Sequence, residues 1–283
     1  MQRETITMKI QKRKKLPIVK HLEDIDDLSI GRDTSLVPGQ KILVNKLADS
    51  IYQYYAENSF KILIFQVSPK KRAQEAARLV QKNLSERNSG VRIILEVNQS
   101  LREIDQGEFI LPSNYQPGNY FQGLKIAGSI FSSETFSDVD NLTYRYGSPF
   151  VDKKVNKYPE LKKYFRDYGE NYKEVLIRFY TQVINFSEFI RRLDERNAGM
   201  VVFTHSQPHQ IFTDLSIVAR MIISEGFNLK TGDLPRLCWN LYKSRERRII
   251  PFGDMTSVCV DHIYNNDVIQ LLEREVEFLG NLS

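Results

Sequence analysis

"KILIFQVSPKKRAQEAARLVQKNLSERN", residues 61–88, changes character once, at Ser68 and Pro69. Before that point the chain is an apolar run without strict alternation, the pattern of a strand covered on both faces. After it come Ala, Gln, Glu, Arg, Leu and Lys, which are good helix formers. Ser68 and Pro69 stand where a helix is expected to open, because proline lacks the N–H that a first helical turn cannot use. A buried strand running straight into a helix is the building unit of a parallel sheet.

The same unit recurs on both sides. "LPIV" (16–19), "VRIILEV" (91–97) and "GMVVFT" (199–204) are three more short apolar runs, read as central strands covered on both faces. "SVCVDHI" (257–263) alternates more and is expected as an edge strand. Helical patterns lie between them, at 39–58, 169–197 and 208–222. In the first of these, Leu43, Leu47, Ile51 and Tyr54 share one face at three- and four-residue steps. Alternating strands and helices predict an α/β fold: three layers, α/β/α, around a mainly parallel sheet. Residues 16–283 are expected to form one domain behind a flexible basic arm at 1–15. The segment 107–157 is rich in Gly, Ser, Asn, Tyr and Pro and breaks the rhythm, so it is expected as a cap insertion over the sheet.

Composition narrows the function classes. The chain has 283 residues, a net charge of +5 and 27 % charged side chains, and its pI is near 9.0. A basic surface concentrates anions. The two basic runs, "QKRKK" (11–15) and "KSRERR" (243–248), carry no zinc-finger spacing or RNA-binding aromatic signature. They are read as solvated segments, not as a nucleic-acid site. No apolar run approaches the length of a membrane span, and the first fifteen residues lack the apolar core of a secretory signal. Two cysteines, Cys238 and Cys259, do not make a disulfide framework, so a reducing cytoplasm is the expected compartment. The 14 tyrosines are read mainly as cover for half-buried helix faces.

Ligands in open parallel sheets bind at the carboxyl ends of the strands. The first strand ends in Lys20 and His21. The second leads to Ser68, Pro69 and Arg72, the third to "LREIDQGE" with Glu103, and the fourth to Thr204 and His205. Two imidazoles, cations and a carboxyl at one sheet edge suit phosphoryl transfer, which depends on positioning and electrostatic stabilisation. A neutral ring nitrogen of His21 is a competent nucleophile toward phosphorus. The Arg72 fork can bind two phosphate oxygens, His205 can donate another hydrogen bond, and Glu103 can protonate the departing oxygen.

"KHLED" (20–24), "SPKKRAQEA" (68–76), "LREIDQGE" (101–108) and "VVFTHS" (201–206) resemble, in order, motifs of the histidine phosphatase superfamily, the phosphoglycerate mutase-like fold. "GRDTSLVPGQ" (31–40) and "GENYKEVLIRF" (169–179) resemble its intermediate segments, so the likeness runs from about residue 16 to 215. It implies that His21 is transiently phosphorylated, that Lys20, Arg72 and His205 bind the phosphate, and that Glu103 is the acid that later helps water attack the phosphohistidine. It implies neither metal nor cofactor. The "LREID.GE" form resembles the family's phosphatases more than its mutases. The expected activity is therefore phosphomonoester hydrolysis on a phosphorylated small molecule or a phosphoprotein, ahead of a phosphomutase.

The departures from the family pattern are specific. Lys20-His21-Leu22 stands for Arg-His-Gly, Asp27 for a usual Asn, Ala76 for Thr, and Ser206 for Gly. Lysine keeps the charge but not the planar fork, and Leu22 adds bulk where glycine leaves space. They motivate an alternative expectation, a catalytically weak or silent relative that still binds a phosphorylated ligand or partner. His205 and His209 are four apart, but Pro208 between them is expected to start a helix and leave His205 outside it, which disfavours a metal pair. His262, near Cys259, is read as packing. Arg32, Arg145 and Tyr146 are expected substrate contacts. The sequence leaves the oligomeric state and the substrate open.

Overall fold

A computed structural model describes residues 15–20, 39–87, 90–103, 108–109, 165–167, 172–195, 197–226, 229–234, 237, 253 and 255–281. In chain order these give β1 (Lys15–Lys20), α1 (Lys41–Asn58), β2 (Ile62–Val67), α2 (Lys71–Glu86), β3 (Arg92–Val97), a 3₁₀ turn (Gln99–Leu101), β4 (Glu108–Phe109) and β5 (Phe165–Asp167). After them come α3 (Tyr172–Glu195), β6 (Ala198–Thr204), α4 (Ser206–Glu225), β7 (Met255–Cys259), α5 (Val260–Ile263) and α6 (Asn266–Asn281). Five strands form one sheet in the order β3-β2-β6-β1-β7. The pairs β2–β3, β2–β6 and β1–β6 are parallel, and β7 pairs antiparallel with β1. The mainly parallel α/β/α architecture expected from the sequence is the one observed. β4 and β5 pair separately as a two-stranded ribbon.

Strand pleating explains the layers. Side chains of β6 point alternately to opposite faces. Ala198, Met200 and Val202 join one core with α3, α4 and α6, while Val201 and Phe203 join the other with α1 and α2. β1 divides in the same way, Leu16 and Ile18 to the first core and Val19 to the second. Every residue of β6 is buried, which is why its sequence reads as an unbroken apolar run.

β6 also runs close to its neighbours. A Cβ added at Gly199 would lie 2.6 Å from the Phe60 ring and 2.8 Å from Leu63 Cδ2. Gly199→Ala is therefore expected to destabilise the fold by about 1–3 kcal/mol, the usual cost of overpacking a filled core. A lowered urea midpoint at unchanged slope is the measurement that checks it.

Three expectations need correction. β3 is not a strand covered on both faces: it is an edge strand, with Ile94 and Val97 exposed. Its apolar run resembles the central strands because Val91, Ile93 and Leu95 pack on the α1–α2 core while the other face stays open. The run at 257–263 is only half strand. It leaves β7 after Cys259 and becomes the short helix α5, which buries Val260 and Ile263 three residues apart. Finally, α2 begins at Lys71, with Lys70 extended before it and no side-chain cap. Ser68 lies outside the helix, its hydroxyl held elsewhere, as described below.

On the α3 side of the sheet, α6 buries a carboxylate. Glu275 is fully buried and its Oε1 accepts the Gly232 N–H at 2.7 Å. Burial pushes the carboxyl above its usual 4.5, with Asp233 adding to the shift, while hydrogen bonds from the Gly232 and Leu234 backbone and the charge of Arg274 oppose it. A carboxyl raised in the folded state favours its protonated form there. Its contribution to stability thus grows as pH falls through the folded pKa and is complete below the unfolded value. Glu275→Gln keeps an acceptor for Gly232 and removes the charge. The variant is expected to match or exceed the parent in stability at pH 7, and to lose that advantage as pH falls through the raised pKa of the parent's carboxyl, in urea melts run at each pH.

Candidate active site

The register brings four strand ends into one row. Lys20 pairs with Thr204, and Val67 pairs with both Phe203 and Val97. Two further bonds carry the order past the sheet: Ser68 N–H donates to the Phe203 carbonyl at 2.9 Å and Asn98 N–H to the Val67 carbonyl at 2.8 Å. Ser68, Thr204 and His205 are fully buried, and Lys20 nearly so.

Past β3 the chain turns back over this edge. The Asn98 side chain accepts the Ser100 N–H at 3.0 Å and donates to Gln66 Oε1 at 3.1 Å, which starts the 3₁₀ turn at a fixed place. The turn is then tied from two sides. Thr204 Oγ1 donates to the Leu101 carbonyl at 2.9 Å, and Arg178 of α3 donates to the carbonyls of Ser100 and Arg102 at 2.8 and 3.1 Å. With Leu101 fully buried as an anchor, Glu103 is delivered to the cluster.

Arg72, in the first turn of α2, bridges the other two groups. Its Nε donates to His205 Nδ1 at 3.3 Å and its Nη2 to Glu103 Oε2 at 3.5 Å. Glu103 Oε2 lies 3.4 Å from His205 Nδ1. His205 precedes α4 with extended backbone, and its Nε2 lies 2.8 Å from Ser68 Oγ. The side chains of Arg72 and Glu103 retain 15 % and 19 % of their exposure, so a ligand can reach them from solvent. The backbone N–H groups at the start of α2 and its positive dipole end add to the attraction for an anion there.

Three of the expected site residues, Arg72, Glu103 and His205, are thus in mutual contact, and Lys20 ends the strand beside Thr204. His21, Arg32, Arg145 and Tyr146 lie outside the described residues, as do Leu22, Asp27 and nearly all of the segment 107–157. His205 precedes the helix as expected, although α4 opens at Ser206 and contains Pro208 in its first turn. Among the described residues no group of three or more His, Cys, Asp or Glu side chains could hold a metal ion. Sequence reasoning named Thr204 only as a strand end, gave no role to it or to Arg178, which orient the acid-bearing turn, and did not foresee the contact of Ser68 with His205. For Thr204 there was a signal, a polar residue closing a wholly apolar strand. Arg178 had none, because an arginine on an amphipathic helix reads as solvated.

No family model matches the sequence, and no curated protein matches it. Among solved structures the chain is similar to a mycobacterial glucosyl-3-phosphoglycerate phosphatase, at 14 % identity over 79 % of this chain and 84 % of that one, with a TM-score of 0.42. It is similar to a phosphoglycerate mutase from Bacillus anthracis str. Sterne at 14 % identity, 92 % and 98 % coverage and a TM-score of 0.45. It is also similar to an α-ribazole phosphatase from Shigella flexneri, at 15 % identity, 86 % and 89 % coverage and a TM-score of 0.42. The chemistry rests on the side chains. Among the described residues no helix is long and apolar enough to cross a membrane.

Proposed function

We propose that this chain is a phosphomonoester hydrolase of the histidine phosphatase type, working through a phosphohistidine on His21. One observation carries the reading: Arg72, Glu103 and His205 converge within 3.5 Å of one another at the carboxyl end of a parallel sheet, where the strand before His21 also ends. Arg72 and Lys20 supply positive charge for the phosphoryl oxygens. His21 attacks phosphorus, the bond to the ester oxygen breaks, and Glu103 gives that oxygen its proton. Water then attacks the phosphohistidine, its proton passing to the Glu103 carboxylate, and inorganic phosphate leaves. The substrate is a phosphorylated small molecule or a phosphoprotein.

A second reading has its own support. Arg72 is already paired with Glu103, and His205 is closed in, so the same cluster suits a weakly active or silent protein that binds a phosphorylated ligand. The experiment that separates the two is turnover of an aryl phosphate at mildly acidic pH, with His21→Ala as background, alongside the rise in melting temperature with inorganic phosphate. Turnover above background supports hydrolysis. Stabilisation without turnover supports binding alone, and absence of both ends the phosphate-site reading.

A further inference from the structure

Ser68 is fully buried and lies outside α2, whose N-cap position is Lys70. Its backbone N–H is spent on the Phe203 carbonyl, its Oγ accepts the Lys70 N–H at 3.3 Å, and His205 Nε2 stands 2.8 Å from the same oxygen. On the far side of the ring, Nδ1 faces the Arg72 Nε–H at 3.3 Å. A guanidinium N–H is always a donor and cannot rotate away within its plane, so Nδ1 is an acceptor. A neutral imidazole with its lone pair on Nδ1 carries its proton on Nε2, and Ser68 Oγ is then the acceptor of that proton.

We propose that Ser68 is a positioning residue that holds His205 in the Nε2–H form, so that an incoming tetrahedral dianion draws one proton from solvent onto His205 Nδ1. The inference rests on the phosphate-site reading above and adds to it a coupling between anion binding and protonation. The dianion competes with Nδ1 and Glu103 for the Arg72 fork. Once Arg72 turns its N–H groups to the ligand, Nδ1 loses its donor and faces two anionic groups, the ligand and Glu103 Oε2, which already lies 3.4 Å away. One proton adds to Nδ1, the ring becomes imidazolium, and no other bond changes. Ser68 goes on accepting from Nε2, which leaves both N–H groups of the cation satisfied.

Among the described residues, the charged side chains in contact with the ring include Arg72 on α2 and Glu103 after the 3₁₀ turn; Lys20 ends the neighbouring strand, and His209 stands one turn along α4, its backbone N–H donating to the His205 carbonyl at 3.0 Å. Arg72 and Lys20 oppose protonation, and Glu103 with the dianion favours it. Counting the described residues, the cations Lys20, Arg72 and a protonated His205 match the charge of Glu103 and a dianion, whereas with the ring neutral they fall one charge short.

Sulfate is a suitable probe because it is a tetrahedral dianion that does not itself titrate near neutrality. The full chain would be titrated with sulfate calorimetrically in buffers of different ionisation enthalpy, which counts protons taken up on binding. In parallel, ¹⁵N spectra of the ligand-free protein would give the tautomer of His205, a tractable assignment with 4 histidines and His205→Gln as a reference. The expected results are the Nε2–H tautomer and uptake of about one proton above the ring's free pKa. Ser68→Ala should lower sulfate affinity roughly tenfold and reduce the proton count, since Nε2–H loses its acceptor, and Ser68→Thr should restore both. An Nδ1–H ring in the free protein, or sulfate binding without proton uptake, overturns the coupling while leaving the phosphate site intact. An unchanged proton count in folded Ser68→Ala or loss of uptake in Ser68→Thr overturns the role of Ser68. Failure of sulfate and phosphate to bind at all overturns the site and the coupling together.

Discussion

If the proposed hydrolysis holds, Arg72→Ala is expected to lower kcat/KM toward an aryl phosphate by roughly 10²–10³-fold, the scale of losing one preorganised charged donor in a site of this kind. The geometry makes the residue hard to replace. A single guanidinium reaches His205 through Nε and Glu103 through Nη2, and the same planar fork is what a phosphoryl group needs for two oxygens at once. Lysine keeps the charge without the fork, so Arg72→Lys should recover only part of the loss. Because the chain already has lysine at position 20, Arg72 is the one fork-bearing cation in the described cluster, and its removal should be felt more than in a site with two. Melting temperature and sulfate affinity measured on the same samples separate chemistry from folding. Turnover within twofold of the parent would remove Arg72 from the reaction.

Glu103→Gln produces a different signature. Glutamine keeps the shape and an acceptor for Arg72 but has no proton to give or take, so under the proposed hydrolysis kcat on alkyl phosphates is expected to fall by about 10²–10⁴-fold, the range of general acid–base contributions. On an aryl phosphate with a good leaving group the first step needs little protonation. Phenolate should then appear as a burst of about one equivalent per enzyme, followed by slow turnover, because attack of water on the phosphohistidine still lacks its base. Inorganic phosphate should bind more tightly to the variant, since the carboxylate that competes for Arg72 is gone. Lower turnover with tighter product binding is hard to obtain from misfolding. A variant with an unchanged rate on alkyl phosphates would exclude Glu103 as the acid.

The residues that build the sheet were legible because burial on both faces forces an unbroken apolar run. β1, β2 and β6 all lie where such runs stand in the sequence. β3 was legible as a strand but not as an edge, since three of its neighbouring apolar side chains still pack on a helix layer and the pattern does not record what covers the other face. The mutual contact of Arg72, Glu103 and His205 was legible from their position after strands, which parallel topology converts into proximity. Ser68 was misread for a physical reason. Ser before Pro is a strong helix-opening signal, and a local pattern cannot reveal that the hydroxyl instead meets a ring 137 positions away along the chain. Arg178 and Thr204 act on backbone carbonyls of a distant turn; Thr204 stood out only as the polar end of an apolar strand, and Arg178 left no pattern to read.

The way β6 shares its side chains between the two helix layers has a mechanical consequence. Peeling either layer from the sheet strips one flank of the same central strand, which is the wall that both cores share. Loss of structure should spread across the whole sheet in a single step, and the amides of residues 200–203 should be the last to exchange with solvent deuterium.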